Sequence, residues 1–394
     1  MSGFLKRFKV SGWLEAMRSM RVRSPHDAVT SRLRMRLEVA ADLGPLYGFV
    51  SADAEKNWKI ASETGVEPHE MWLEHAQAGW DVRLGRQIII WGKADGVQVT
   101  DIICPPDYTE SITRELDEIR RPVDAAKLRL LGKSVNLELI WIPVFREAKL
   151  PEDDNPWATA MTSSPGLRVR EDETRRPDIS LGNSEVALKA SGYFSGVDAA
   201  ASVFYTWDDM PVRRRALSLE SGAPVVRLRP EHRRMTVFGL EFSRPWSDFV
   251  FRGEAAYYLG RYRETIAPDR NPSPRDSLKW LFGVDWTPGE DWSVSAQIVN
   301  ERMFGHAAYF SAEEDDTLFT LNIAKKLFNQ TLTLSNMVFC DVNNGEFYNR
   351  GKVEYEISDG FFASAGFDAF SGKNGQFGVY RDNTQAWFRL KYSF

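Results

Sequence analysis

The chain has 394 residues and a formal net charge of -5, with 43% hydrophobic and 27% charged residues. A helical membrane protein needs several runs of about 20 apolar residues, and the sequence contains none. The modest charge argues against a nucleic-acid partner, and two cysteines, Cys104 and Cys340, are too few for a disulfide framework and are expected to stay unpaired.

Near the start of the chain, Ser31 to Ala40 alternates strictly. Leu33, Met35, Leu37 and Val39 fall on one face, and Arg32, Arg34, Arg36 and Glu38 on the other. Period two marks a strand with one apolar and one wet face. Comparable stretches predict strands over 6–21, 29–40, 45–56, 69–79, 81–91, 123–132, 134–145, 183–194 and 196–206. The series continues over 234–243, 248–259, 278–287, 291–301, 317–327, 330–340, 347–357, 360–369 and 384–394, eighteen strands in all. Their lengths suit the roughly 9 to 11 residues with which a tilted strand crosses a bilayer, whereas strands of soluble proteins are usually nearer 5 or 6.

The connections alternate too. Short turns such as Gly79-Trp80, Gly132-Lys133, Pro288-Gly-Glu and Ser358-Asp follow every second strand. Between them come mostly longer polar connections, at 22–28, 57–68, 92–122, 146–182, 207–233, 260–277, 302–316, 341–346 and 370–383. Short periplasmic turns and long external loops are the asymmetry of outer-membrane barrels. A propeller would repeat about every 40 residues, and no such repeat is present.

The last strand, Thr384 to Phe394, places Ala386, Phe388, Leu390, Tyr392 and Phe394 on one face and Gln385, Trp387, Arg389, Lys391 and Ser393 on the other. It looks like the C-terminal targeting strand read by the barrel assembly machinery. The fold expected is a transmembrane antiparallel up-and-down β-barrel of about 18 strands, formed by residues 1–394 as one domain in a bacterial outer membrane. Aromatic residues, 12% of the chain, would supply its interfacial girdles. Met1 to Phe8 lacks the apolar segment and cleavage site of a signal peptide, so the expectation is that a signal peptide has been removed.

A charge facing lipid near the midplane costs about 2–4 kcal/mol, so strand charges are expected to face the lumen. Arg32, Arg34 and Arg36 form a basic rung, joined by Lys127, Arg129, Arg252, Arg389 and Lys391, with Glu15, Glu38, Glu138, Glu254 and Asp285 among the acids. These charges either pair across a wet interior or form a basic constriction that selects anions. The third long connection, 92–122, is the candidate constriction loop. Within it, residues 109–121 predict a short helix with Thr109 or Ser111 as N-cap, placing Ile112, Leu116 and Ile119 on one face that packs on the inner wall or on other loops. Packed inward, Asp101, Asp107, Glu110, Arg114 and Glu115 would set the pore's charge and width.

The connection 207–233 is rich in arginine, at Arg213 to Arg215, Arg227, Arg229 and Arg233. It suits an anionic solute or lipopolysaccharide phosphates, or is a solvated loop balanced by acidic neighbours. Glu313 to Asp316 is expected to be a solvated charge run rather than a cation site. The five histidines show no metal-ligand spacing and no nucleophile elbow or phosphate loop is present, so neither an enzyme nor a cofactor is expected.

The segment Arg83 to Gly92, with Cys104-Pro-Pro-Asp107 after it, resembles the bacterial outer-membrane family called domain of unknown function 1302. Gly85, Arg86, Gln87, Trp91 and Gly92 match its strand, and Asp107 matches an acidic loop residue, whereas Lys93 and Cys104 depart from it. The resemblance, over about 25 residues, implies an outer-membrane barrel of porin type. More distantly the chain is similar to the alginate-export porins, 18-stranded barrels with a basic lumen. Strict alternation would put Arg86 on the lipid side with Leu84, and a bulge near Gly85 would bring Arg86 and Gln87 to the pore. The function expected is passive diffusion of small anionic solutes. Alternatives are a conduit for an anionic polysaccharide and a plugged receptor or structural barrel. The expected surroundings are outer-membrane lipid and lipopolysaccharide.

Overall fold

A strand crossing hydrocarbon must pair all its backbone groups with neighbouring strands, and it can keep a polar lumen only if its side chains alternate. The computed structural model describes residues 7–94, 96–110, 113–114, 116–152, 154–158, 168–220, 223–267, 269–373 and 375–394. Its first strands are β1 (Phe8–Arg21), β2 (Ala28–Asp42), β3 (Tyr47–Asn57), β4 (Gly65–Gln77), β5 (Trp80–Gln87), β6 (Val123–Leu131) and β7 (Val135–Ile142). Next come β8 (Arg168–Glu171), β9 (Glu185–Phe194), β10 (Val197–Trp207), β11 (Val212–Glu220), β12 (Ala223–Glu231), β13 (Arg234–Trp246) and β14 (Phe249–Arg263). The chain closes with β15 (Ser273–Trp286), β16 (Trp292–Met303), β17 (Asp315–Leu327), β18 (Leu332–Asp341), β19 (Glu346–Ser358), β20 (Phe361–Ser371) and β21 (Gln385–Ser393).

Eighteen of these form one antiparallel sheet. It closes where β1 meets β21, from Trp13 opposite Ser393 to Arg21 opposite Gln385. Just beyond that ladder, Gly12 and Phe394 exchange two backbone hydrogen bonds of 3.0 Å. All eighteen strands read from the sequence are present, with ends displaced by a few residues. Along β2 the two faces separate as the alternation requires: Leu33, Met35 and Leu37 are exposed, while Arg32 and Arg34 are buried inside. Tyr47, Trp80, Trp246, Trp286, Trp292 and Phe328 are exposed beside the short turns, where an interfacial girdle belongs.

Two expectations need correction. The strand expected over 81–91 ends at Gln87, because the Ile88 amide leaves the ladder and donates to the Glu70 carboxylate at 2.8 Å. The connections 146–182 and 207–233 also contain a small external sheet, in which β11 and β12 form an antiparallel pair and β8 joins β12 in parallel. β8 has only four residues, the run Arg213 to Arg215 breaks the two-residue alternation of β11, and Pro224 and Pro230 within β12 disfavour a strand reading. Burial of Val225, Val226 and Leu228 gives them a small core.

On the outer wall, Phe242 stands opposite Gly253 and Phe367 opposite Gly351. A Cβ on either glycine would collide with the facing ring, so the rings lie flat across the glycines. Gly253→Val would overpack this site, and such changes cost about 1–3 kcal/mol. The expected result is a lower urea midpoint for the barrel refolded in lipid vesicles; an unchanged midpoint would show that the wall relaxes freely here.

Candidate pore constriction

After Gln87 the chain turns into the barrel, and its described residues before Val123 include two stretches packed on the inner wall. Ile89, Trp91, Ile103 and Cys104 pack on Ile140, Ile142, Ala187 and Phe204 of the inner wall. Farther along, Val99 packs against Val237, Ala256, Leu281 and Val299. These apolar contacts place the loop across the lumen from β5 to β14 and β15. Cys104 lies in the first cluster and Cys340 on β18, both free.

The far wall holds the loop through one carboxylate. Glu254 on β14 accepts hydrogen bonds from the amides of Lys93, Ala94 (2.5 Å) and Thr100 (2.9 Å), and from the Thr100 hydroxyl at 2.8 Å. Hydrogen bonds to charged groups contribute about 1.5–3 kcal/mol each, and here four converge on a buried side chain. Gly92 makes this approach possible: its φ is +88°, and a Cβ there would lie 2.9 Å from the Thr100 hydroxyl and 3.0 Å from Glu254. Arg252 adds a bond to the Lys93 carbonyl and pairs with Asp285 at 2.6 Å. The Trp91 indole donates to Glu138 at 2.6 Å, and Tyr258 donates to the Val99 carbonyl at 3.2 Å.

The returning half of the loop meets the basic rung. Arg32 pairs with Glu110, which also receives Arg114 at 3.2 Å, while Arg114 reaches Asp107 at 3.0 Å. Arg34 binds Glu118 at 3.2 Å and lies 3.6 Å from Glu55. Arg36, nearer the periplasm, forms a two-pronged pair with Asp53 at 2.6 and 2.7 Å. Arg350 donates to the Thr113 carbonyl, and Arg120 to Asp101 at 2.7 Å. Burial opposes charge on Arg114, yet Glu110 and Asp107 outweigh it and hold its pKa above the ordinary value. Burial would likewise raise Glu118, but Arg34, Arg32 and Arg114 outweigh it and bring its carboxyl down to about 2.

Other residues picked from the sequence lie elsewhere on the wall. Arg129 pairs with Asp81 at 2.9 Å, and Arg389 with Glu354 at 3.2 Å. Lys391 sits 5.0 Å from the centre of the Trp13 ring, and Lys127 is buried. Gln87 is fully buried and donates to the Ala125 carbonyl at 3.0 Å. Arg86 does not reach the pore. No register shift occurs at Gly85 on either side of β5, so Arg86 keeps the outward parity of Leu84 and forms a two-pronged pair with Asp124 at 3.0 Å.

The helix expected over 109–121 is reduced to Leu116–Ile119. The Thr109 hydroxyl binds Asp107 at 2.5 Å instead of capping it. Ser111, Ile112 and Glu115 lie outside the described residues, and Ile119 borders a lumenal cavity. Most of the external arginines are balanced by acids, Arg213 by Glu171, Arg214 by Glu231, and Arg227 and Arg229 by Asp172, whereas Arg215 donates to the carbonyls of Thr265 and Ala267. Among the described residues no group of three or more His, Cys, Asp or Glu could hold a metal ion.

Two spaces flank the loop. Toward β10, β13–β15, β17 and β18 a cavity of 590 Å³ is bordered by Asp101, Asp208, Asp209, Arg261 and Lys279. Toward β2–β4 a cavity of 120 Å³ is bordered by Arg34, Arg36, Glu55, Glu118, Arg121 and Arg146. Lys279, Arg261, Arg121 and Arg146 were not singled out in the sequence. Lys279 shares the inward parity of Ser277 and Leu281 and was legible there, whereas Arg121 and Arg146 sit in connections with no period to reveal them.

Two outcomes follow from the tether and the rung. Glu254→Ala removes four acceptor contacts, so single-channel recordings should show larger or more frequently fluctuating current; an unaltered trace would mean that the apolar packing alone holds the loop. Glu118 has a depressed folded-state pKa, so its stabilising contribution is complete above the ordinary value of 4.5 and is lost as pH falls toward about 2. The melting-temperature gap between wild type and Glu118→Gln should therefore be constant above about pH 5 and shrink toward pH 2. A gap that is independent of pH would contradict the ion pair.

Similarity to known proteins agrees with this architecture. Among solved structures, the chain matches OccK11 (OpdR) of Pseudomonas aeruginosa at 10% identity and a TM-score of 0.55, covering 99% of this chain and 97% of that one. It matches OccAB4 of Acinetobacter baumannii at 9% identity and a TM-score of 0.54, covering 98% of each chain. For OccK5 (OpdH) of Pseudomonas aeruginosa the values are 10% and 0.52, with 99% and 98% covered. At such identities the likeness is one of fold. No curated protein sequence matches the chain. The model of the family described as protein of unknown function (DUF1302) matches residues 61–308, a span that holds the G-R-Q strand, the inward loop and its Glu254 tether, and the chain belongs to that family.

Proposed function

We propose that the protein is a porin-like channel of the outer membrane that passes small, negatively charged solutes beside loop 88–122. The observation that carries the reading is a closed barrel whose lumen is narrowed by a tethered loop, with a cavity of 590 Å³ left beside it. A barrel of this kind offers solutes a polar wall and a constriction whose charges decide which ions pass.

The preference for anions rests on fewer charges than the basic rung first suggests. Arg32, Arg34 and Arg36 all have carboxylate partners within 4.0 Å, so their fields are largely compensated. Lys279 is different: it borders the 590 Å³ cavity and, among the described residues, has no carboxylate within ion-pair distance. An ammonium that has no direct carboxylate contact, with Glu301 opposite it in the ladder as its nearest cross-strand acid, keeps more of its field for anions in the cavity and raises their local concentration.

The experiment is single-channel recording of the purified protein in planar bilayers under a potassium chloride gradient. Wild type should show steady conductance with a reversal potential displaced toward that of chloride, and Lys279→Ala should move it toward that of potassium. Conductance without anion preference would remove the charge selectivity and keep the channel. An absence of conductance would favour a plugged barrel, a reading that draws support from the apolar clusters sealing loop to wall.

A further inference from the structure

Where loop 88–122 rejoins the wall, it is laced to the connection that follows β7 by two arginines. Arg121 donates from Nη1 to the carbonyl of Glu147, and Arg146 donates from Nη1 to the carbonyl of Pro122. Each side chain thus reaches the backbone beside the other's own position, and the two cations are held close together. Both border the 120 Å³ cavity, several times the roughly 10–15 Å³ that one water needs.

These two differ from their neighbours in charge balance. Arg114 has Asp107 and Glu110, and Arg120 has Asp101. Among the described residues neither Arg121 nor Arg146 forms an ion pair, and each uses its guanidinium on a carbonyl alone. Burial, then repulsion from Arg121 and Arg86, outweighs the attraction of Asp124 and Glu67 and brings the pKa of Arg146 down to about 10. A clamp between two connections needs only neutral donors. Two guanidiniums side by side add repulsion to that task and leave most of their five N–H donors each unused.

We propose that Arg121 and Arg146 form an oxyanion-binding site at the extracellular mouth, which takes a carboxylate or phosphate group of a solute. Planar guanidiniums bind both groups through paired hydrogen bonds, and an arriving anion relieves the repulsion between them. The role in solute passage rests on the channel reading above; the binding itself does not.

The test is calorimetric titration of the full, detergent-solubilised barrel with succinate and, separately, with inorganic phosphate. Wild type should bind at least one of them saturably, and the tighter probe names the preferred group. Arg121→Gln and Arg146→Gln should each weaken binding at least tenfold. Arg146→Lys, which keeps the charge and loses the fork, should fall in between. Arg213→Gln, on the external sheet, should bind as wild type does. Folded barrels are selected by their electrophoretic mobility before boiling. No binding of either probe by wild type, or equal binding by Arg146→Gln, would overturn the site. Binding without conductance would sink the channel reading and keep the site, whereas conductance without binding would do the reverse.

Discussion

Hydrocarbon offers no partner to a backbone N–H or C=O, and this constraint governs the whole molecule. A sheet in a bilayer must have no free edge, so β21 has to return to β1. The meeting of Gly12 with Phe394 is the last link in that seam. Closure then divides every strand into an outer and an inner face. The outer face carries Leu33, Met35 and Leu37; the inner face must carry the arginines beside them. The charged lumen is therefore first of all a consequence of the wall.

A lumen filled with charges of both signs is stable only if the charges find one another. Here much of the pairing runs between wall and loop instead of across the wall. Glu110 and Glu118 come from the loop to Arg32 and Arg34, and Glu254 comes from the wall to four donors of the loop. The constriction is thus held by the same groups that define its charge. Changing a wall charge is expected to move the loop as well as alter the field, which separates this lumen from a rigid ring of side chains.

The wall was legible in the sequence because period two repeats eighteen times and the turns keep step with it. The inward loop was less so. Residues 88–91 continue the apolar pattern of β5, and nothing local says that Ile88 gives its amide to Glu70. Glu254 was marked as an inward acid, but its four donors, on Lys93, Ala94 and Thr100, are more than 150 positions away in the chain. Arg86 shows the limit from the other side. Its family motif suggested the pore, while simple alternation placed it outward, and the register agrees with the alternation. The external sheet was hidden by its own arginines, which were read as a loop and of which most prove to be paired with Glu171, Asp172 and Glu231.

The central claim is that a tethered loop narrows this barrel without sealing it. Swelling of liposomes that contain the purified protein, measured with neutral sugars of increasing size, tests that directly. The account predicts fast swelling with the smallest sugars and a steep fall as size increases. No swelling with any solute would contradict it, and equal rates at all sizes would contradict it equally.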